Sequence, residues 1–177
     1  LGGNVGIPFS ENVLWELTSN INSPVHVLEL SSFQLEHVQL FSPTVCGILN
    51  ISPDHMDRYE NFDAYVIKKL KLAEQTQQSG CVVYNADDPI LAQSLADIPH
   101  SVQFSLTHNP DCYFKLNASK VYSGEDENPN ILFELKDTKL KGLHNLQNIL
   151  AAATMAHTFD LSSSAIQDTI INFTPIH

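Results

Sequence analysis

A single carboxylate interrupts the first strongly apolar segment of the chain. The segment Val25-His26-Val27-Leu28-Glu29-Leu30 has the composition of a buried strand, and Glu29 stands near its carboxyl end. In open α/β sheets, ligands bind in the crevice beyond the carboxyl ends of the strands. A carboxylate at that place could hold a hard cation such as Mg²⁺, or it could cap the next helix or pair with a neighbour. The position of Glu29 leaves these interpretations open.

A polar loop follows the next apolar segment. Residues 45–51 form a near-continuous apolar run, typical of a parallel strand that is covered on both faces. The loop after this run brings Asp54, His55 and Asp57 together within four positions. His55 could be a metal ligand, although Mg²⁺ prefers oxygen and a lone histidine is more often a hydrogen-bonding loop residue. The two aspartates could equally be solvated.

Three lysines, Lys68, Lys69 and Lys71, lie on a helix predicted from about residue 62 to 76. Such a cluster is usually a solvated helix face. Lys69 stands four residues after Tyr65, however, and therefore shares a face with that aromatic residue. A lysine on the inner face of an acidic domain needs a partner or a modification.

Two carboxamides open a helix near the end of the chain. Asn145 and Asn148 are three residues apart and share one face of that helix, and His144 precedes them. Carboxamides in this arrangement can donate and accept hydrogen bonds, which suits a planar ring such as adenine. From spacing alone, helix capping is the better interpretation. The sequence contains no GxxxxGK[ST] phosphate loop, no dinucleotide fingerprint and no recognisable Ser/His/Asp arrangement.

The charge balance narrows the range of partners. The chain has 9 Lys and Arg against 20 Asp and Glu, which gives a formal net charge of −11. Nucleic-acid binding depends on basic side chains that displace counterions, so this composition argues against it. A single nucleotide is not excluded, because backbone amides and Mg²⁺ can neutralise a few phosphates locally. No apolar run approaches the roughly 20 residues of a membrane span, so membrane insertion is not expected.

The length of 177 residues suits one domain. Three cysteines, Cys46, Cys81 and Cys112, have no metal-ligand spacing, which favours buried, reduced thiols in a cytosolic protein.

Strands and helices alternate along the first half of the chain, which predicts an α/β fold with a mostly parallel sheet flanked by helices. Residues 1–8 are predicted to form a tight glycine turn, and Asp87 is predicted to be the N-cap of a helix that begins near Pro89. A small antiparallel sheet is predicted between about Ser101 and Leu135. The predicted strands are 25–30, 45–51 and 81–85 in the parallel core and 102–106, 113–116, 120–122 and 131–135 in the antiparallel sheet, with closing helices at 143–158 and 164–172.

Four segments together resemble the amide ligases of the muramyl peptide pathway, and they span nearly the whole chain. They are Gly2-Gly3-Asn4-Val5-Gly6, Glu29-Leu30-Ser31-Ser32-Phe33-Gln34-Leu35-Glu36, residues 49–59 with Tyr65 and Lys69, and residues 142–152. The second and third segments resemble the member that adds D-glutamate to UDP-N-acetylmuramoyl-L-alanine rather than its siblings. The resemblance implies the central, Rossmann-like ATP-binding domain of such a ligase.

The resemblance also implies roles for individual residues. Glu29 would bind the Mg²⁺ that bridges the ATP phosphates. His55 and Lys69 would be the catalytic residues that hold a second Mg²⁺, with Lys69 carbamylated by CO₂. The remaining matches would bind substrates: Gly3, Asn4 and Ser31 the UDP-muramoyl substrate, and His144, Asn145 and Asn148 the nucleotide.

The expected function is therefore ATP-dependent ligation of D-glutamate through an acyl phosphate, in the cytoplasm of a bacterium. The resemblance further implies that the chain 1–177 lacks the phosphate-loop segment, the N-terminal UDP-binding domain and the C-terminal amino-acid-binding domain. We accordingly expect the piece alone to be inactive, with unpaired sheet edges that invite self-association. Alternatives are a sibling muramyl ligase, a folylpolyglutamate synthetase-like ligase, or a non-catalytic binding module.

Overall fold

The computed structural model describes residues 1–19, 22–54, 56–107, 109, 111–124 and 130–175. They fall into two compact units: the first unit comprises Leu1–Phe41 and His55–Leu72, and the second unit comprises Ser42–Asp54 and Ala73–His177. In chain order the elements are β1 (Gly2–Gly3), α1 (Phe9–Ser19), β2 (Leu28–Glu29), α2 (Ser32–His37), β3 (Val45–Ile48), α3 (Phe62–Glu74), β4 (Cys81–Asn85), α4 (Pro89–Leu95), β5 (Ser101–Phe104), β6 (Phe114–Asn117), β7 (Lys120–Ser123), β8 (Asn130–Glu134), α5 (Leu143–His157) and α6 (Ser163–Asn172).

The first unit contains a two-stranded parallel sheet, in which β1 pairs with β2 and Gly3 lies opposite Glu29. Glycine is required at this pairing. Gly3 has a φ of +110°, and a Cβ placed on it would collide with the backbone carbonyl of Glu29. The predicted glycine turn is confirmed in part. The Gly3 N–H donates to the Ile7 carbonyl at 3.1 Å and closes the loop, but Gly2 and Gly3 form a strand, which was not predicted.

The second unit contains a three-stranded parallel sheet in the order β3-β4-β5. Its strands are short apolar runs, and β4 is buried from Val82 to Asn85. Helix α5 packs against all three strands, which covers one face of the sheet. This arrangement explains why β3 and β4 read as continuous apolar segments rather than as alternating ones.

A three-stranded antiparallel sheet, in the order β6-β7-β8, completes the second unit. Helix α6 packs against β8 and α5, and α5 also contacts β6. One hydrophobic core joins both sheets and the two closing helices. Its fully buried members include Val83, Phe104, Phe114, Val121, Phe133 and Leu150.

The predicted fold class is confirmed, with two corrections to its strands. The segment 102–106 was expected in the antiparallel sheet, but β5 pairs parallel with β4. A crossover through α4 separates these strands, and strands joined by a helix return in parallel. The segment 25–30 was expected in one sheet with the next two strands. Only Leu28–Glu29 is a strand, and it pairs with β1, while Val25 and Val27 are 68% and 60% exposed.

A third correction concerns the start of α4. The N-cap is Asp88 rather than Asp87, because the Asp88 carboxylate accepts hydrogen bonds from the backbone N–H groups of Ile90 and Leu91 at 2.9 and 3.1 Å. Asp87 instead accepts from the Ser105 hydroxyl at 2.6 Å.

The three cysteines are unpaired, and Cys46 and Cys112 are buried while Cys81 is half-buried. Burial raises the pKa of the Cys46 thiol to about 12, and burial likewise raises the pKa of Cys112 to about 12. These two thiols are therefore neutral at physiological pH. Within the described part of the chain, every helix is too short or too polar to cross a bilayer.

Candidate functional site

The carboxyl end of β2 carries the exposed side chain of Glu29. The next helix is capped by Ser31 rather than by Glu29. The Ser31 Oγ accepts a hydrogen bond from the Gln34 backbone N–H at 3.3 Å, and the Gln34 Oε1 accepts from the Ser31 backbone N–H at 2.9 Å. This capping box satisfies two free donors of the helix end. Helix capping is therefore the wrong interpretation of Glu29, whose carboxylate stays available to a ligand.

The glycine turn lies against the same end of β2. The Asn4 backbone N–H donates to the Glu29 carbonyl at 2.7 Å, and the side chain of Asn4 is exposed. The structure thus brings Gly3, Asn4, Glu29 and Ser31 to one edge of the first unit. An exposed carboxamide and an exposed carboxylate at one strand end suit a polar, phosphate-bearing ligand with its cation.

Lys69 lies over a buried aromatic ring. Its Nζ is 5.3 Å from the centroid of the Tyr65 ring, and Tyr65 is only 3% exposed. An ammonium over a ring face is attracted by the ring quadrupole. The Lys69 side chain is half-buried, so the solvated-face interpretation is wrong for this lysine. The amino group of Lys69 therefore lies over a buried ring of its own helix.

An aromatic cluster links α3 to α2. The rings of Tyr65 and Tyr59 meet edge to face at 5.2 Å, and Tyr59 stacks on Phe33 of α2 at 6.4 Å. The Arg58 guanidinium lies 4.8 Å from the centroid of the Phe33 ring. Burial raises the pKa of the Tyr59 hydroxyl above its usual range. The contact between Tyr59 and Phe33 has no local sequence pattern, since 26 positions separate the two residues.

His55 lies outside the described residues, and its predicted role as a metal ligand stays a prediction. Among the residues that the structure describes, no group of three or more His, Cys, Asp or Glu side chains has an arrangement that could hold a metal ion. Mg²⁺ usually takes one or two carboxylates and fills its other positions with water and phosphate oxygens. The exposed carboxylate of Glu29 fits that donor set, whereas an ordinary lysine ammonium does not.

The predicted nucleotide residues lie on the second unit, in the first turns of α5. Gly142 precedes the helix with a φ of +92°, and no side chain caps this helix end. The Asn145 Nδ2 donates to the Lys141 carbonyl at 2.7 Å, which leaves the N–H groups of the helix end uncapped, so the capping interpretation of the two carboxamides is wrong. Asn148 and His144 are exposed. Asn148 therefore has its carboxamide directed away from the core, on a helix whose opposite face is fully buried.

Two aspartates at the carboxyl ends of the parallel strands serve the structure. The Asp88 Oδ2 accepts from the Ile51 backbone N–H at 2.8 Å, while Asp87 accepts from the Leu106 backbone N–H at 2.6 Å. These carboxylates fasten the loops that follow β3, β4 and β5 to one another. No local sequence pattern marks this role of Asp88, because its partner Ile51 is 37 residues away.

The fold agrees with a comparison of the sequence with known protein families. The sequence model of one protein family, described as the Mur ligase middle domain, matches residues 14–156 of this chain. The chain belongs to this family. A UDP-N-acetylmuramoylalanine–D-glutamate ligase of Geotalea daltonii is 37% identical over 155 residues, which covers 86% of this chain and 33% of the relative. The ligase of the same name from Acidobacterium capsulatum is 31% identical over 183 residues, covering 98% of this chain and 37% of the relative.

Solved structures show the same fold. A UDP-N-acetylmuramoyl-L-alanyl-D-glutamate–2,6-diaminopimelate ligase aligns with a TM-score of 0.65 at 23% identity, over 85% of this chain and 32% of that one. The UDP-N-acetylmuramate-alanine ligase of Thermotoga maritima aligns with a TM-score of 0.59 at 19% identity, over 85% of this chain and 34% of that one. The chain spans about a third of the length of the curated relatives that it matches.

Proposed function

We propose that the whole protein is an ATP-dependent ligase that adds D-glutamate to UDP-N-acetylmuramoyl-L-alanine during peptidoglycan synthesis. The observation that carries this proposal is the 37% identity to a ligase of that name over 86% of the chain. The two structural neighbours named above carry the names of sibling ligases, but at 23% and 19% identity they support the fold alone. The D-glutamate ligase is therefore preferred over its siblings.

The chemistry requires an activated carboxylate. The reaction that we propose transfers the γ-phosphoryl group of ATP to the carboxylate of the muramoyl substrate. The amine of D-glutamate then attacks the acyl phosphate, and phosphate leaves. Two anions must approach each other in the first step, and two unit charges at 4 Å repel by about 4 kcal/mol at an effective dielectric constant near 20. Groups that neutralise this charge are the main requirement for catalysis.

We assign the muramoyl substrate and one cation to the first unit. Gly3, Asn4 and Ser31 would bind the substrate, since they lie beside the carboxyl end of β2. Glu29 would hold one Mg²⁺, whose contribution is to offset the repulsion between phosphate and carboxylate. Its exposed carboxylate is the observation that supports this assignment.

Lys69 and His55 would hold a second Mg²⁺. An unmodified Lys69 ammonium would repel a cation, whereas a carbamate formed with CO₂ reverses the charge and presents two hard oxygens. Carbamylation joins the neutral amine to CO₂, which converts the side chain from a cation to an anion. The position of Lys69 over Tyr65 supports a fixed site rather than a mobile surface lysine.

We assign the adenine of ATP to the second unit. Asn148 would donate and accept hydrogen bonds at the ring, with His144 and Asn145 beside it. The exposure of Asn148 and His144 supports this assignment. Asn145 retains its side-chain oxygen for a ligand, because only its Nδ2 is used by the Lys141 carbonyl. ATP and UDP-linked precursors are cytoplasmic metabolites, so we place the reaction in the bacterial cytoplasm.

The test is a ligation assay on the full-length protein with UDP-N-acetylmuramoyl-L-alanine, ATP and Mg²⁺, and with D-glutamate, L-lysine, diaminopimelate or L-glutamate as the amine. We expect phosphate release and product only with D-glutamate. Parallel assays pair UDP-N-acetylmuramate with L-alanine, UDP-N-acetylmuramoyl-L-alanyl-D-glutamate with diaminopimelate or L-lysine, and a folate with L-glutamate. Turnover in one of these assays instead would establish a sibling ligase or a folylpolyglutamate synthetase-like enzyme. Absence of turnover in every assay, in protein that binds ATP, would support a non-catalytic binding module.

A further inference from the structure

The three lysines of α3 have different surroundings. Lys68 and Lys69 are half-buried, and Lys69 lies over Tyr65. Lys71 instead contacts the backbone of α2. Its Nζ donates to the Val38 carbonyl at 2.5 Å and to the Leu35 carbonyl at 3.4 Å. Lys71 is therefore a partner of another element rather than a solvated charge.

The two carbonyls belong to the end of α2. Leu35 lies in the last turn of this helix, and Val38 is its C-cap. The last carbonyls of a helix have no partner within it and carry the negative end of the helix dipole. An ammonium at this place supplies donors and complementary charge together. Lys71 thus caps α2 from a neighbouring helix, 33 residues further along the chain.

Helix α2 needs such an attachment because it is short. It has six residues, and an isolated helix of that length is unstable in water. The capping box of Ser31 and Gln34 holds its amino end, and the stacking of Phe33 on Tyr59 holds one side. Lys71 is the polar attachment at its carboxyl end.

The position of α2 has a consequence for the site. Glu29 and Ser31 directly precede this helix, while Lys71 stands two residues after Lys69 on α3. We propose that Lys71 is a positioning residue: by fixing the carboxyl end of α2, it holds the Glu29–Ser31 segment at a set place relative to Lys69. The inference rests on the proposed function, in which Glu29 and Lys69 hold the two cations.

Two measurements on the full-length protein test the proposal. The first is amide hydrogen exchange of residues 33–38, and the second is the free Mg²⁺ concentration that gives half-maximal ligation at saturating ATP. Lys71→Met keeps the apolar stem and removes the donors. Lys71→Arg keeps the donors, and Lys68→Met is the matched control on the same helix.

We expect Lys71→Met to lose exchange protection in residues 33–38 and to raise the half-maximal Mg²⁺ concentration about tenfold, as loss of a charged hydrogen bond would produce. Lys71→Arg should restore both readouts, and Lys68→Met should change neither. If Lys71→Met does not fold, Lys71→Gln is measured instead, with smaller changes in the same directions.

The proposal is overturned if Lys71→Met matches Lys68→Met in both readouts. It is also overturned if protection is lost while the Mg²⁺ dependence stays unchanged, since Lys71 would then have a structural role only. A wild-type protein without ligase activity would contradict the proposed function instead, and the exchange data would still decide whether Lys71 fixes α2.

Discussion

The first and second units differ in how well their large apolar side chains are buried. Helix α1 has no buried residue, and its Leu14, Trp15 and Leu17 are 61%, 59% and 73% exposed. In the second unit, Phe114 and Leu150 are at most 1% exposed. Burial of apolar surface is the dominant favourable contribution to folding, so the second unit supplies most of the stability of this chain.

The difference matters for function because the candidate residues divide between the units. Glu29 and Lys69 lie on the first unit, where many large apolar side chains are exposed. Polar contacts, such as the hydrogen bond from Lys71 to the end of α2, therefore matter more for holding α2 and α3 together. Asn148 lies on α5, which is anchored in the core. Regions of low local stability are those that ligands most readily order. We therefore expect Glu29 and Lys69 to respond to ligands more than Asn148 does.

The largest expected effect is on the core of the second unit. Leu150→Ala should lower the free energy of unfolding of this chain by about 3 kcal/mol, because it leaves a cavity among fully buried residues. Leu14→Ala, the same substitution on the exposed face of α1, should change it by less than about 0.5 kcal/mol. Urea unfolding followed by circular dichroism measures both. Equal losses in the two variants would remove the contrast between the units.

The pH dependence of stability tests how well the second unit buries Cys46. The folded Cys46 thiol keeps its proton up to a pKa of about 12, whereas the unfolded chain releases it above the ordinary value of 9.0. The unfolded state then binds fewer protons, so stability contributed by this group is complete below pH 9.0 and is lost as pH rises through about 12.

Cys46→Ala should therefore reduce the alkaline loss of stability by about 1.4 kcal/mol per pH unit within that window. Denaturant unfolding at a series of pH values measures the slope. Val82→Ala is the control, since it removes buried volume from β4 but no titrating group. An unchanged slope in Cys46→Ala would show that the thiol ionises as readily in the folded state as in the unfolded one.

The smallest effect concerns the nucleotide. In the full-length protein, Asn148→Ala should weaken ATP binding by a few-fold to tenfold, the equivalent of one hydrogen bond to an uncharged group, about 0.5–1.5 kcal/mol. Isothermal titration with ATP and, separately, with the muramoyl substrate measures this, and Gln147→Ala serves as the control. Equal weakening toward both substrates would indicate a purely structural role at the start of α5.

Local patterns predicted most elements of this fold. The helices predicted at 62–76 and 143–158 correspond to α3 and α5, and an apolar run predicted β4 within the bounds observed. The sheet to which a strand belongs was harder to predict, because the composition of the segment 102–106 is compatible with both parallel and antiparallel pairing. Only the partner, β4, decides between them.

The candidate site shows the same limit. Residue type and spacing singled out Glu29 and Lys69 as candidates, whereas the role of Asn148 came from the resemblance to the muramyl ligases, and all three roles stay predictions. The pair Tyr65–Lys69 is in contact as its spacing predicted. Contacts between distant positions could not be read from the sequence. The Lys71 ammonium donates to the Val38 carbonyl, and the Asp88 carboxylate accepts from the Ile51 N–H, only after the chain has folded. Neither pair has a local pattern that marks it.

The central claim is that Lys69 acts as a carbamate, and chemical rescue of the full-length enzyme tests it most directly. Lys69→Ala should nearly abolish ligation, and added acetate should partly restore it, because a small carboxylate can supply the missing oxygen ligands in the vacated space. Lys68→Ala should retain activity, since it points about 100° away around the helix. Rescue of Lys69→Ala by small amines instead of acetate would contradict the account, and so would full activity without any addition.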